Sequence, residues 1–189
     1  MKKLNKKGFT LIELLAVIVI LGILLAIAVP SVTKYINDSR KDTYVGNAQS
    51  IANAARNQAS MGDYAFPTSE TDATLIPFTE LANSLDKGGK TSPYGHDYQD
   101  NYSYVVIINK GTATEPKYEY YIAAIDSEGY GIGKLDSNKK PIADVISYDD
   151  LDKADIVQIS SKVGYAVTDN KITINGNSYT ITNRYPKTN

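Results

Sequence analysis

Residues 1–30 read MKKLNKKGFTLIELLAVIVILGILLAIAVP, and this stretch decides how the chain is organised. The run from Phe9 to Val29 is apolar, with Glu13 near its start. At about 1.5 Å per residue, a helix over this run is roughly 30 Å long, which matches the hydrocarbon core of a bilayer. A charged acid at the centre of such a helix costs roughly 2.5–3.5 kcal/mol. The sequence therefore predicts a membrane-spanning helix in which Glu13 is a candidate functional residue.

Four basic residues lie just before the apolar run. By the positive-inside rule they keep the N-terminal end in the cytoplasm, so the rest of the chain is expected outside. The basic residues are Lys2, Lys3, Lys6 and Lys7. An ordinary secretory signal fits poorly, because its apolar stretch is shorter and ends in a small-residue cleavage site. These local features leave two hypotheses, a simple membrane anchor or a helix with a role in assembly.

The segment KKGFTLIEL, residues 6–14, favours assembly because it closely resembles the class III leader of type IV pilins. The resemblance covers residues 2 to about 35. It implies that a prepilin peptidase cuts after Gly8 and that Phe9 becomes the N-methylated N-terminus. It also implies that Glu13 meets the Phe9 amine of a neighbouring subunit during filament growth. The alternative is that Glu13 only reaches the lipid headgroups, since it lies one turn from the cytoplasmic end.

Gly22 and Pro30 occupy the positions between which assembled pilins, by the same resemblance, lose helical hydrogen bonds. Locally, Pro30 has no N–H and clashes with the carbonyl of Ala26, and Gly22 lowers helix propensity by about 1 kcal/mol. Bare backbone groups are not tolerated in lipid. We therefore expect a continuous or kinked helix in the membrane and melting only inside a filament. A kink without melting is the alternative.

The remaining chain predicts an α+β fold, with a long helical spine packed on a mostly antiparallel sheet. Residues 31–62 continue the helix with an amphipathic pattern, in which apolar side chains recur every three or four residues. Its apolar positions are Val32, Tyr35, Ile36, Val45, Ala48, Ile51, Ala52, Ala55 and Ala59. Residues 63–189 form the head. By the resemblance to type IV pilins, this arrangement is the pilin fold.

Within the head, residues 63–100 are interpreted as a connecting region with a short helix, Phe78 to Leu85, and an exposed loop, residues 86–97. Strands are predicted afterwards from tyrosine- and isoleucine-rich runs and from turn residues. They cover Tyr102 to Ile108, Tyr118 to Ile125, part of Asp126 to Gly133, Ile142 to Ile146, Gly164 to Thr168, Lys171 to Ile174 and Ser178 to Thr182. Asp169-Asn170 and Asn175-Gly176-Asn177 are predicted turns between the last three.

The composition speaks against several classes of function. There is no cysteine and one histidine, His96, so neither nucleophile sets nor structural zinc can be assembled with any specificity. We therefore predict no enzyme activity and no cofactor. The acids Asp126 and Glu128, or the set from Asp149 to Asp155, could ligate calcium, but a solvated acidic turn explains them better. The lack of a C-terminal disulfide resembles pilins of Gram-positive bacteria more than the Gram-negative type.

The resemblance implies a type IVa-like major pilin, a filament subunit for adhesion, twitching motility or biofilm formation. The alternatives are a pseudopilin of a type II secretion or competence system, and an anchored binding or enzymatic domain. The expected partners are further copies of the chain, the prepilin peptidase, the assembly platform and its ATPase, the cytoplasmic membrane and a host-cell or surface receptor. The precursor is expected in the membrane and the mature chain outside the cell.

Overall fold

The computed structural model of the chain describes residues 8–83, 85 and 89–185. The predicted leader residues 1–7, with their four lysines, lie outside the described residues, as do residues 86–88 of the predicted exposed loop. The chain divides into two compact units between Ser39 and Arg40. The elements are α1 Leu11–Met61, β1 Asp72–Pro77, α2 Phe78–Ala82, β2 Tyr104–Asn109, β3 Tyr118–Ala123, β4 Tyr130–Leu135, β5 Pro141–Ala143, β6 Ile146–Ser147, a 3₁₀ turn Lys153–Asp155, β7 Ile156–Gln158, β8 Lys171–Ile174 and β9 Asn177–Arg184.

In the first unit, α1 is apolar on every side from Leu14 to Val29. Every described side chain from residue 8 to residue 37 is exposed, and the helix is long and apolar enough to cross a membrane. A helix that is hydrophobic all round is found in a membrane or in a large core. Val32, Tyr35 and Ile36, predicted on the apolar stripe, belong to this exposed part.

In the second unit, the later part of α1 packs on a sheet through one face. Its buried side chains are Tyr44, Ala48, Ile51, Ala52, Ala55 and Ala59, at the three- and four-residue spacing of a helix. They form one core with Ile76, Val105, Ile107 and Ile122. Four of the six helix residues are alanines, whose small side chains let the sheet approach closely. The predicted stripe is confirmed from Ala48 onward, and Tyr44 was missed.

The main sheet contains six of the described strands, in the order β6-β3-β2-β1-β9-β8. Four of the five pairings are antiparallel, and only β1 and β9 run parallel. The β2–β3 and β8–β9 hairpins were both predicted. In the second, Asn175 and Gly176 have φ angles of 51° and 82°, as a two-residue hairpin turn requires. The structure confirms the α+β class.

A second apolar core covers the other face of this sheet. Strand β2 is buried at all six positions, because Val105 and Ile107 face the helix while Tyr104, Val106 and Ile108 face away from it. The second core also receives side chains from β8 and β9. They are Ile172, Ile174, Tyr179 and Ile181. The head therefore has two apolar cores, one on each face of the main sheet.

Three strand predictions were wrong. Strand β1 lies inside the region interpreted as connecting loops, although α2 falls inside the predicted short helix. The predicted strand Ile142 to Ile146 is two strands in different sheets, since β5 pairs with β4, and β6 with β3. Gly164 to Thr168 forms no strand; a single bridge joins Thr168 to Lys171. Among the described residues, β5, β4 and β7 form a separate three-stranded sheet that was not predicted.

Candidate functional site

The first turn of α1 contains a reciprocal capping arrangement. The backbone N–H of Thr10 donates to Oε2 of Glu13 at 2.8 Å, and the Thr10 hydroxyl donates to the same oxygen at 2.7 Å. In return, the backbone N–H of Glu13 donates to Oγ1 of Thr10 at 3.3 Å. Since α1 begins at Leu11, Thr10 is the N-cap and Glu13 the third helical residue. This is the capping box, in which two otherwise unpaired N–H groups are satisfied.

The capping box changes the energetic interpretation of Glu13. The first N–H groups of a helix have no partner within it, and an unpaired backbone group is costly in a membrane. A negative charge at this end also interacts favourably with the helix dipole. Glu13 is thus an acid for which its own helix supplies hydrogen bonds. Both bonds from Thr10 use Oε2, and a carboxylate has a second oxygen that can accept from another donor.

Thr10, which caps the helix, was not among the predicted site residues. Its signal is present in the sequence, because a threonine followed three residues later by glutamate before an apolar run marks a helix start.

Gly8 and Phe9 precede the helix and are uncovered. Phe9 has 91% of its surface exposed, and a side-chain carbon placed on Gly8 would meet nothing within 4 Å. The peptide bond predicted as the cleavage point is therefore accessible. Within the described chain, Glu13 takes its hydrogen bonds from Thr10. A bond from Glu13 to the Phe9 amine of a second subunit stays a prediction.

Gly22 and Pro30 lie inside a continuous helix. Two hydroxyls bond to backbone carbonyls around Pro30: Ser31 donates to Ile27 at 3.3 Å and Thr33 donates to Val29 at 3.0 Å. Such bonds back to the fourth preceding carbonyl slightly weaken and bend helices. Neither bond reaches the carbonyl of Ala26, which is the one that Pro30 leaves without a helical N–H donor. The continuous helix agrees with the expectation for the membrane state, and melting in a filament stays a prediction.

The acids weighed as calcium ligands have other roles in the head. Asp126 is completely buried, not solvated as predicted. Its side chain accepts bonds from the Ser92 hydroxyl at 2.6 Å and from the backbone N–H groups of Glu128 and Tyr130 at 3.0 and 2.9 Å. Ser92 is itself buried, so the prediction that residues 86–97 form an exposed loop is wrong at this position. The hydrogen bond from the Lys162 ammonium, 2.7 Å away, holds the pKa of the Glu128 carboxyl below its usual value.

The second acidic set also serves local structure. Asp152 and Asp155 cap the 3₁₀ turn reciprocally, and burial raises the pKa of the Asp155 carboxyl. In the part of the chain that the structure describes, no three histidine or acidic side chains are grouped as metal ligands. Asp126, Asp152 and Asp155 thus have structural roles in turns and caps.

Comparison with known proteins bears on the N-terminal segment first. Residues 3–29 match the family model of the prokaryotic N-terminal methylation motif. This range contains Gly8, Phe9, Thr10, Glu13 and Gly22. The accessible bond after Gly8 and the capped start of α1 therefore lie within a motif defined by processing and methylation of the N-terminus.

Three proteins of Pseudomonas aeruginosa are similar over longer ranges. The type II secretion system core protein G is 29% identical over 108 residues, which cover 52% of this chain and 75% of the relative. Two fimbrial proteins are 28% and 27% identical over 140 residues, covering 73% of this chain and 90% of each relative. No solved structure gives a significant match.

Proposed function

Because the chain belongs to the type IV pilin and pseudopilin family, we propose that it is the major structural subunit of a type IV pilus. The observation that carries this proposal is the segment from Gly8 to Pro30, an accessible cleavage bond followed by a capped helix that is apolar on every side. Two fimbrial relatives, covered over nine-tenths of their length, support a filament subunit. The filament would serve adhesion, twitching motility or biofilm formation.

The proposed path begins in the cytoplasmic membrane, where the exposed side chains of Phe9 to Val29 contact lipid. A prepilin peptidase cuts after Gly8 and the new amine of Phe9 is methylated. The assembly platform and its ATPase then move the subunit into the growing filament. There, the apolar helix contacts the same helix of other copies, and residues 63–189 remain outside as the head.

Burial of apolar surface alone does not explain why the helix leaves the membrane. Lipid tails are as apolar as leucine, so moving the helix into a filament gains little hydrophobic free energy. A polar contact that forms only in the filament can favour the filament over the membrane. The free oxygen of Glu13 can accept from the Phe9 amine of the next subunit, and a buried ammonium–carboxylate pair fixes register more than it adds net stability.

A pseudopilin is the second candidate function. Its support is the similarity to the type II secretion system core protein G, which covers three-quarters of that relative. The same helix, processing site and Glu13 would then build a short fibre within the cell envelope. The two functions share the processing and assembly steps of the N-terminal helix. They differ in whether the polymer extends beyond the cell envelope.

The test combines microscopy with analysis of the N-terminus. Surface fibres are sheared from cells, imaged by electron microscopy and digested for mass spectrometry. We expect long fibres built of this chain, beginning at methylated Phe9. Gly8→Val should leave the precursor uncut in the membrane, whereas Gly46→Ala, a control at an uncrowded glycine of the same helix, should assemble normally. Short envelope-bound fibres would favour the pseudopilin, and an uncut wild-type chain would contradict both functions.

A further inference from the structure

A small polar cleft lies at one end of the main sheet, where β1 begins, β2 ends and the turn between β8 and β9 approaches. Its volume is about 320 Å³, near the lower limit of roughly 300 Å³ for small-molecule sites. The polar side chains around it are Glu70, Thr71, Asn109, Lys110, Asn177 and Ser178. They come from three separate parts of the sequence, all within the unit of residues 40–189. The cleft is therefore independent of the N-terminal segment and of the function proposed above.

Asn109 is the unusual member of this set. Its side chain is 99% buried, and its Oδ1 accepts from the backbone N–H groups of Gly111 at 2.9 Å and Lys117 at 3.0 Å. Both partners are donors, so the atom of the Asn109 amide that faces them must be its oxygen. The amide nitrogen therefore points away from the β2–β3 loop. That nitrogen has no hydrogen-bond acceptor among the described residues. A buried donor without a partner is unfavourable. The nitrogen has almost no accessible surface, so it makes the floor of the cleft polar without contacting a ligand directly.

Lys110 supplies a positive charge beside Asn109. Its Nζ donates to the Tyr179 hydroxyl at 3.1 Å and lies 5.8 Å from the centre of that ring. The hydrogen bond to Tyr179 raises the pKa of the Lys110 amine above its usual value, and the side chain is cationic at neutral pH. Tyr179 is itself 96% buried, so the exposed Lys110 side chain has a well-positioned partner at the rim of the cleft.

The remaining groups of the cleft can form hydrogen bonds with the hydroxyl groups of a ligand. Thr71 and Ser178 can donate and accept, Asn177 offers an amide, and Glu70 only accepts when ionised. A simple inorganic anion would be attracted by Lys110 but repelled by Glu70. A ligand with one carboxylate and several hydroxyl groups satisfies both, because its hydroxyls can donate to Glu70. We propose that this cleft binds a hexuronate, the acidic sugar unit of many surface polysaccharides.

The test uses the full-length chain in detergent micelles and isothermal titration with glucuronate, glucose and inorganic phosphate as separate probes. We expect saturable binding of glucuronate and weaker binding of glucose and phosphate. Lys110→Gln should weaken glucuronate binding by about tenfold or more, as loss of a charge-assisted hydrogen bond predicts. Lys117→Gln removes a lysine from the other end of the same loop and should leave binding unchanged.

A second variant tests the polar floor of the cleft. Asn109→Asp keeps an oxygen for the loop N–H groups and adds a negative charge beneath the cleft, which repels the carboxylate of glucuronate, so it should abolish glucuronate binding. A thermal melt shows whether this variant is folded, and Lys110→Gln tests the site in either case. The proposal is overturned if wild type does not bind glucuronate, if Lys110→Gln binds it as wild type does, or if phosphate binds as tightly as glucuronate.

Discussion

Replacement of Glu13 by glutamine separates two roles that its carboxylate could have. Glutamine can still accept the hydrogen bonds from Thr10, since capping boxes form with either residue. It carries no charge, so it cannot form an ion pair with the Phe9 amine of another subunit. Glu13→Ala removes both functions, and Thr10→Ala removes the hydroxyl cap while keeping the charge. Comparison of the three variants therefore isolates the intersubunit pair.

The two roles differ in expected magnitude. Leaving one partner of a buried ion pair uncompensated costs about 3–5 kcal/mol, which lowers the equilibrium constant for subunit addition by roughly two to three and a half orders of magnitude. Loss of an N-cap costs about 0.5–2 kcal/mol, a factor of roughly 2 to 30. We therefore expect Glu13→Gln and Glu13→Ala to yield almost no filament, and Thr10→Ala to yield a reduced amount.

The assay is the ratio of sheared filament to membrane-bound subunit, measured by quantitative immunoblot. Mass spectrometry of the N-terminal peptide checks that each variant is inserted and cut. Thr33→Ala is the matched control, because its hydroxyl also bonds within α1 but far from Glu13. If Glu13→Gln assembled like wild type, the charge would be unnecessary and capping would account for the acid.

The other predictions concern the head, measured by chemical unfolding of the chain in micelles. Ile107→Ala, at a fully buried position facing the helix, should lose about 2–5 kcal/mol, while Leu135→Ala, more than half exposed, should change little. Gly133→Ala would place a carbon 2.2 Å from a backbone oxygen of β5 and should separate that strand, whereas Gly46→Ala should be neutral or slightly stabilising. Because burial raises the pKa of Asp155, its contribution to stability is lost as the pH rises through that pKa. Asp155→Asn should therefore be more stable than wild type at pH 7 and not at pH 3, and equal differences at both values would contradict this.

The parts of the fold that the sequence predicted are those with a repeating signal. The apolar run and the three- and four-residue spacing identify α1, and the pair Asn175-Gly176 identifies the last hairpin. Strand β1 was missed because its residues Ala73 to Ile76 are buried on both faces. A strand of this kind lacks the alternation of apolar and polar residues that identifies half-buried strands.

The segment Gly164 to Thr168 shows the opposite error. Its sequence alternates as a strand should, and a turn with positive φ angles at Asp169 and Asn170 follows it. In the structure, the Tyr165 hydroxyl donates to the Thr173 carbonyl, and the Tyr104 hydroxyl donates to the Tyr165 carbonyl, both at 2.6 Å. Hydrogen bonds from side chains thus hold this segment where backbone pairing with a neighbouring strand was expected. Contacts of this kind cannot be recognised from the local sequence.

The candidate sites also differ in whether the local sequence reveals them. Glu13 could be predicted because one acid in an apolar run is conspicuous, and Thr10 could have been found from its three-residue spacing. The cleft around Asn109 could not, since its walls come from residues 70–71, 109–110 and 177–179. Only the folded sheet brings these positions together.

Strand β9 lies between β1 and β8, and this position constrains the order of events when the chain folds. Thr180 donates to the Thr71 carbonyl at 2.8 Å, and Tyr185 donates to the Leu75 carbonyl at 3.0 Å, so contacts join positions more than a hundred residues apart. Pairings this distant in sequence form slowly. In the proposed pathway, β1 would have an unpaired apolar edge, open to aggregation, until residues 177–184 had crossed the membrane. A subunit that its first helix held in the bilayer would then complete the sheet before it met other subunits, so membrane anchoring would protect folding as well as store subunits.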